Sequence, residues 1–401
     1  MEELENIPKK RIEVIDGLRG FALLGILLLH TVEHFSFIGD AKLNPEIFKS
    51  IDPYVSTTIE FLFKGKAFAI FSLLFGFSFF IQMDRSERKG EDFRLRFVWR
   101  LLILLVFGYV FSAILLGEIL TIYALIGLPL VFIYHLRTRT LVILSVLILL
   151  QLPWLVYMLI ANVITELQID GSQIGALFGE AFYTFEHGSI EEVIKFNFWK
   201  GHLAIWLWAF VQGKLLQTFG LFVLGLAAGK SHFFEKITTD QKMIIKWLII
   251  SCILCLVFNI LLILIPFLGL NDTNFFLLDS ILKVYSALSL ASILGIGFIF
   301  IYKKQKYGSL HFYGRMSLTN YVVQPLIGVP LFYGFGLGLH LYCGPTLSLL
   351  IGVIILIVQI YFSIIWLNRY YYGPLEWFWR ISTFLNWKIK FRRQSKKLEY
   401  R

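Results

Sequence analysis

Charged residues and cysteines are scarce in this sequence, and each scarcity excludes a class of protein. Aspartate, glutamate, lysine and arginine make up only 16% of the 401 residues, whereas hydrophobic residues make up 57%. Such a chain is too apolar for a soluble globular protein. Three cysteines, Cys252, Cys255 and Cys343, provide no disulfide framework. The sequence also lacks a G-x-S-x-G motif, a Walker motif and a cysteine-histidine metal cluster.

Apolar runs of about 20 residues recur along the chain, and each is long enough to cross a bilayer as a helix. Backbone groups in lipid must be paired internally, and these runs lack the strict alternation of barrel strands, so we predict an all-α polytopic transmembrane bundle. No cleavage site follows the first run, which favours a retained span over a signal peptide. We predict ten spans, at residues 14–36, 55–82, 97–116, 118–134, 140–161, 203–228, 244–266, 276–302, 317–335 and 346–367.

The connections between the predicted spans differ in charge from one side to the other. The side of both termini holds 28 of the 37 lysines and arginines, so by the positive-inside rule both termini are cytoplasmic. The net charge of +10 then reflects topology and attraction to anionic lipid rather than nucleic-acid binding. We expect a single membrane domain made of five spans at 14–161, an exterior loop with amphipathic helices at 162–202, five spans at 203–367 and a basic interfacial cytoplasmic tail at 368–401.

Five ionisable residues occur in the first span, which reads VIDGLRGFALLGILLLHTVEHF from residue 14. On a helix that turns about 100° per residue they fall within an arc of about 100°, and they extend over about 27 Å, close to the hydrocarbon thickness of a bilayer. Because ionisable groups in lipid are costly, this stripe predicts a functional path or site that faces the protein interior. The five are Asp16, Arg19, His30, Glu33 and His34.

The cytoplasmic end of the stripe is a candidate anion site. Arg19 is suited to bind a phosphate through two parallel hydrogen bonds, with Asp16 holding its guanidinium in place. The alternative is an interfacial ion pair that anchors the start of the helix. Gly17 and Gly20 would let a neighbouring helix, or a ligand, approach the backbone closely.

The exterior end of the stripe is a candidate catalytic site. Neutral histidine accepts a hydroxyl proton well near neutral pH, so His30 is a candidate general base with Glu33 or His34 as its orienting group. Glu118 is a further candidate orienting group, and Lys66 is a candidate for oxyanion stabilisation. The alternatives are interhelical hydrogen bonds for the histidines, an ordinary loop acid for Glu118 and a surface-reaching side chain for Lys66. No metal is expected, because no glutamate directly follows His30 as the zinc-binding motif H-E-x-x-H requires.

Five segments together resemble the YeiB-like family of bacterial integral membrane proteins. They are DGLRGFALLGILLLH, FKGKAFAIFSLLFGF, GEILTIYALIG, GRMSLTNYVVQPLI with the following GFGLGL, and GPLEWFWR. The family is grouped with the transmembrane acyltransferases, which include sugar O-acetyltransferases and heparan-α-glucosaminide N-acetyltransferases. In the O-acetyltransferase branch an arginine and a histidine are separated by ten residues, as Arg19 and His30 are here. YeiB-like proteins often carry asparagine at the position of His30 and aspartate at that of Glu118.

The resemblance implies an acyltransferase of the cytoplasmic (inner) cell membrane. It would move an acyl group, with acetyl favoured, from cytoplasmic acyl-CoA to a cell-envelope glycan or lipid on the exterior side. Arg19, positioned by Asp16, and Arg315 would hold the phosphates of acyl-CoA, and His30 would activate the acceptor. One alternative is a transporter or flippase for a small anion or lipid that uses the same stripe. The other is a membrane scaffold or sensor; homo-oligomerisation is left open.

Overall fold

The computed structural model describes residues 13–35, 41–164, 171–270, 272–305 and 308–393, which form a bundle of helices. Within these ranges there is no β-strand, so the predicted all-α class is confirmed. The basic residues before position 13 and the end of the basic tail lie outside the described residues. The helices are α1 (Glu13–Val32), α2 (Glu46–Lys49), α3 (Asp52–Phe63), α4 (Lys66–Glu87), α5 (Arg94–Ser112), α6 (Leu120–Gly127), α7 (Leu130–Ile133), α8 (Thr138–Leu149), α9 (Leu152–Val163), α10 (Gly171–His187), α11 (Ile190–Phe196), α12 (His202–Val211), α13 (Lys214–Lys230), α14 (Phe233–Thr239), α15 (Gln241–Leu264), α16 (Asp272–Gln305), α17 (Gly308–Arg315), α18 (Ser317–Phe332), α19 (Pro345–Arg369) and α20 (Pro374–Phe384).

Six helical segments in the described ranges are long and apolar enough to cross a membrane. A bent pair made of Ile190–Val211 and Lys214–Lys230 gives a seventh if it counts as one span. In the segment that contains α15 only 11% of the most apolar window is buried, so most of its side chains face outward, as lipid contact requires. The chain is a multi-pass membrane protein, whereas the count of ten spans and the side on which the termini lie stay predictions. The six segments are Glu13–Val32, Asp52–Glu87, Arg94–Ser112, Gln241–Leu268, Asn274–Lys303 and Pro345–Arg369.

Several predicted spans are broken in the structure. The range 118–134 consists of two short helices, α6 and α7. The range 140–161 breaks at Gln151 (φ 56°) and the range 203–228 at Gly213 (φ 63°), both in the left-handed conformation that ends a helix. The two breaks are joined, because Gln151 Nε2 donates to the carbonyl oxygen of Gly213 at 3.2 Å.

The helices α4 and α13 run parallel with their backbones in contact. A Cβ atom on Gly76 would overlap the carbonyl oxygen of Phe222, and one on Gly225 would overlap that of Leu73. Small residues allow this close approach between membrane helices. The two helices therefore start at the same end of the bundle, and both end at the opposite end.

The helix α1 packs beside α4, α17 and α19, but it is shorter than predicted. The predicted continuation to residue 36 is wrong, because the helix ends at Val32 and both His34 (φ 46°) and Phe35 (φ 57°) are left-handed. His34 therefore does not extend the stripe that starts at Asp16. A Cβ atom on Gly20 would overlap a carbonyl oxygen of α17, so the close helix approach expected at this glycine is present.

Two helices, α10 and α11, lie in the segment predicted to be an exterior loop. The ring of Phe185 in α10 stacks on that of Tyr333, with 4.6 Å between centroids. The N–H of Gly334 donates to the carbonyl oxygen of Phe185 at 2.9 Å. These contacts fix α10 against the connection that follows α18, while residues 165–170 of the segment lie outside the described ranges.

Candidate functional site

A cavity of about 300 Å³ lies among α1, α4, α5, α6, α18 and α20. At the end of the bundle where α4 ends and α5 begins, it is lined by Arg19, Arg100, Arg315 and Arg380. Among the described lining residues the one carboxylate is Glu376, and the deeper walls are mostly leucine and aromatic side chains. Four guanidinium groups against Glu376 and the Asp16 carboxylate that pairs with Arg19 leave the mouth with a net positive charge, which suits a multiply charged anion.

Two side chains hold Arg19 at the edge of this cavity. Its Nη1 lies 3.0 Å from Oδ1 of Asp16, and its Nη2 donates to Ser78 Oγ at 2.9 Å. Asp16 is buried, whereas the Arg19 side chain is 20% exposed. The ion pair expected from the i, i+3 spacing is present, and it orients the guanidinium beside the cavity.

Two arginines that the sequence did not single out as site residues line the cavity, Arg100 in α5 and Arg380 in α20. The guanidinium of Arg100 lies 3.6 Å from the ring centroid of Trp379, whose Nε1 donates to the Arg100 carbonyl oxygen at 3.1 Å. Arg380 lies over the rings of Tyr372 and Phe384, at 4.9 and 5.5 Å. Arginine stacks well on aromatic faces, so these contacts place both cations beside the cavity.

Glu376 attaches α20 to the start of α18. Its Oε1 accepts hydrogen bonds from the N–H groups of Leu318 (2.7 Å) and Thr319 (3.1 Å), and its Oε2 accepts from Thr319 Oγ1 (2.6 Å). These N–H groups have no partner within α18, so Glu376 caps that helix from a different one. Desolvation outweighs the hydrogen bonds and raises the pKa of Glu376 above its ordinary value. The i, i+4 pair with Arg380 that the spacing allows is not formed.

Two tyrosines close the inner end of the cavity. The hydroxyl of Tyr123 lies 2.6 Å from Ser72 Oγ, and it donates to the Phe68 carbonyl oxygen at 3.3 Å. The hydroxyl of Tyr321 accepts from the N–H of Ile119 at 3.4 Å. The cavity therefore combines a charged mouth with a largely apolar interior, as a pocket for an anionic amphiphile requires.

His30 lies beyond the inner end of the cavity. Phe71, the α4 residue that lines it deepest, is seven residues from Ser78, so the cavity rises by about 10 Å from the level of Arg19. The same rise along α1 reaches Ile26, about 6 Å short of His30. The Nδ1 atom of His30 is buried, and no residue in the described ranges forms a hydrogen bond with it. No predicted orienting group therefore forms a hydrogen bond with Nδ1 of this histidine among the described residues, and its catalytic role stays a prediction.

Two of the three residues predicted to orient His30, Glu33 and His34, have other partners. Glu33 Oε1 lies 3.0 Å from Lys64 Nζ. His34 Nε2 lies 3.0 Å from the Cys343 carbonyl oxygen and 2.9 Å from Ser348 Oγ, contacts that tie the end of α1 to α19. Glu33 and His34 therefore contribute to structure at this end of the bundle, and their catalytic roles stay predictions.

Glu118 caps α6. Its carboxylate accepts hydrogen bonds from the N–H groups of Leu120 and Thr121, the latter at 3.1 Å, and the residue is only 4% exposed. The first N–H groups of a helix need such an acceptor. This contact gives Glu118 a structural role of its own, and its predicted role beside a histidine is not reflected in the contacts of the described residues.

Lys66, predicted to stabilise an oxyanion, begins α4 at the end of the bundle opposite the arginines. Its Nζ donates to the Glu60 carbonyl oxygen at 3.5 Å and lies 5.6 Å from the ring centroid of Phe61. The structure thus brings Arg19 and Arg315 to one cavity but leaves the predicted catalytic residues in separate contacts. In the described part of the chain, no group of three or more histidine, cysteine, aspartate or glutamate residues could hold a metal ion.

The chain is similar to several bacterial proteins over nearly its full length. It is 28% identical to Uncharacterized protein YxaH of Bacillus subtilis (strain 168), covering 95% of this chain and 96% of the relative. It is 27% identical to an Uncharacterized 39.9 kDa protein in amylase 3'region of Bacillus acidopullulyticus, covering 94% of each. It is also 27% identical to Uncharacterized protein YeiB of Escherichia coli (strain K12), covering 93% of this chain and 96% of the relative.

A family model also matches part of the chain. Residues 228–386 match the model described as Protein of unknown function (DUF418). This region includes Arg315, Glu376 and Arg380 of the cavity. No solved structure matches the chain. The family model and the relatives agree with the resemblance of the sequence to YeiB-like proteins.

Proposed function

We propose that this protein is an acyl-CoA-dependent membrane acyltransferase that transfers an acyl group, with acetyl favoured, to a cell-envelope glycan or lipid. The observation that supports the proposal is the cavity with four arginines at its mouth and an apolar interior. Acyl-CoA combines phosphates at one end with a flexible arm and a thioester at the other. Its charge and polarity match the two ends of the cavity.

The arginines would bind the phosphates of the donor. Arg315 and Arg380 are partly exposed and would bind them at the mouth, while Arg19 binds the phosphate that enters furthest. A guanidinium group offers two parallel N–H donors to a pair of phosphate oxygens. The contacts of Arg19 with Asp16 and Ser78 hold its side chain before the donor arrives, which lowers the entropic cost of binding.

The transfer step would use His30 as general base. The imidazole takes the proton from an acceptor hydroxyl or amine, whose oxygen or nitrogen attacks the thioester carbonyl carbon. The tetrahedral intermediate then collapses, the C–S bond breaks, and the proton passes from His30 to the leaving thiolate of CoA. His30 lies about 6 Å, or one helical turn, beyond the cavity. Donor binding must therefore extend the cavity by this distance before the transfer can occur.

The two ends of this path define a direction of transfer. Under the predicted topology the arginine mouth faces the cytoplasm, where acyl-CoA is available, and His30 lies toward the exterior. The protein would then act in the cytoplasmic membrane on an acceptor that reaches the outer end of α1. Membrane lipids would surround the protein, and the envelope glycan or lipid would be its second substrate.

Equilibrium binding of acetyl-CoA to the purified protein in lipid nanodiscs tests the donor site. We expect Arg315→Gln and Arg380→Gln each to weaken binding about tenfold or more, since a hydrogen bond to a charged group contributes about 1.5–3 kcal/mol. Arg88→Gln is the matched control, because Arg88 pairs with Asp84 at 3.1 Å at the same end of α4 and does not line the cavity. Equal affinity in all variants, or no binding by the wild-type protein, would contradict the proposal.

A further inference from the structure

Two lysines lie together at the end of the bundle opposite the arginine cavity. Lys66 is the first residue of α4, and Lys214 is the first residue of α13. Each follows a left-handed glycine, Gly65 with φ 77° and Gly213 with φ 63°. The chain therefore breaks and restarts as a helix in the same way at two places, each time with a lysine at the start.

The two helix starts are adjacent in space. α4 and α13 run parallel, and a Cβ atom on Gly65 would lie 3.7 Å from Lys214 Nζ. α4 has 22 residues and α13 has 17, and neither has a side-chain cap on its first N–H groups. Each start therefore presents open N–H donors and the positive end of a helix dipole in the same direction.

A buried amide beside Lys214 lacks an acceptor. Gln217 is fully buried, and its Oε1 accepts a hydrogen bond from Lys214 Nζ at 3.1 Å. Its Nε2 is buried with no hydrogen-bond partner among the described residues. Nearly all buried donors in native proteins are paired, so this one indicates a missing acceptor next to the Lys214 ammonium group.

The nearby carboxylates are already paired with a different lysine. Glu33 and Glu60 each lie 3.0 Å from Lys64 Nζ. In the described ranges no carboxylate forms an ion pair with Lys66 or Lys214. Lys66 donates to a carbonyl oxygen and lies near a phenylalanine ring. Two neighbouring ammonium groups in a partly desolvated site repel each other, and a bound anion would remove that repulsion.

We propose that this end of the bundle binds a phosphate group, carried by a lipid headgroup or by a soluble phosphate monoester. Lys66 and Lys214 supply the charge, Gln217 Nε2 supplies a neutral donor, and the first N–H groups of α4 and α13 complete the site. Phosphate offers several acceptor oxygens, as this number of converging donors requires. The site is at the opposite end from the arginine cavity, so this proposal and the acyltransferase proposal fail independently.

Thermal unfolding of the purified, delipidated protein tests the site. One arm adds phosphatidylglycerol to the micelles and compares it with diacylglycerol, which lacks phosphate. The other arm adds glycerol phosphate and compares it with chloride at equal ionic strength. We expect a phosphate-bearing probe to raise the unfolding midpoint by several degrees; a response to the lipid alone assigns the site to a headgroup, and a response to glycerol phosphate assigns it to a soluble ligand.

The double variant Lys66→Gln with Lys214→Gln should lose this increase, whereas the control Lys283→Gln, at a lysine that pairs with Asp279 at 2.6 Å on its own helix, should keep it. The same increase in the double variant as in the wild-type protein, or no increase with either probe, would overturn the proposal. If the double variant does not fold, Lys66→Gln is compared with Lys214→Arg, which keeps the charge. The first should then respond less than the second, and equal responses would also overturn the proposal.

Discussion

Replacing Glu376 by alanine should release α20 from the bundle. The carboxylate accepts three hydrogen bonds from the backbone of Leu318 and from the backbone and side chain of Thr319. A hydrogen bond to a charged group contributes about 1.5–3 kcal/mol, and a helix N-cap about 0.5–2 kcal/mol. The three bonds share one carboxylate, so their contributions do not add fully, and we expect a loss of about 3 kcal/mol. The opening equilibrium of α20 should then increase about a hundredfold.

Hydrogen–deuterium exchange of the α20 backbone amides measures this opening directly. The Glu376→Ala variant should exchange about a hundredfold faster in Pro374–Phe384, with much smaller changes in α15, which α20 does not contact closely. The control Glu376→Gln keeps one acceptor oxygen for Leu318 and Thr319. Its exchange rate in α20 should lie between those of the wild-type protein and the alanine variant. Unchanged protection in the alanine variant would refute the reasoning and would show that other contacts, such as that of Trp379 with Arg100, hold α20.

Two further predictions concern packing and pH. Gly76→Ala should lower the unfolding midpoint strongly, because its Cβ would overlap the Phe222 carbonyl oxygen. We expect a loss of stability of about 1–3 kcal/mol or more. Gly297→Ala is the control, since a Cβ atom at Gly297 would meet open space. Because the pKa of Glu376 is raised from 4.5, the folded protein binds more protons than the unfolded chain just above pH 4.5. Stability should therefore fall as pH rises from 4.5 through the folded pKa, and this slope should be absent in Glu376→Gln.

The helical class could be predicted because the apolar length of a run is a local property of the sequence. The breaks within the runs could not, because they depend on contacts between distant residues. Gln151 adopts a left-handed conformation where its side chain reaches Gly213, 62 residues away in the sequence. His34 is similar, since no glycine or proline marks the end of α1 and its ring instead bonds to Cys343 and Ser348.

The candidate site was predictable where its residues share one helix. Asp16 and Arg19 are three residues apart on α1, so their ion pair follows from helical geometry. Arg100 and Arg380 come from different helices. The positive-inside rule already accounts for arginines on the cytoplasmic side, so the sequence could not distinguish a binding arginine from one that only reflects the topology. Glu376 was missed because its acceptor role depends on the start of α18, which only the fold brings near.

Transfer of labelled acetyl from acetyl-CoA to a cell-envelope extract tests the central claim most directly. The purified protein in nanodiscs should form a labelled product, and the control Arg88→Gln should form as much. Arg315→Gln should raise the acetyl-CoA concentration needed for half-maximal transfer, whereas His30→Ala should abolish the transfer while acetyl-CoA binding persists. Transfer that is undiminished in His30→Ala, or no labelled product from a wild-type protein that binds acetyl-CoA, would contradict the acyltransferase account.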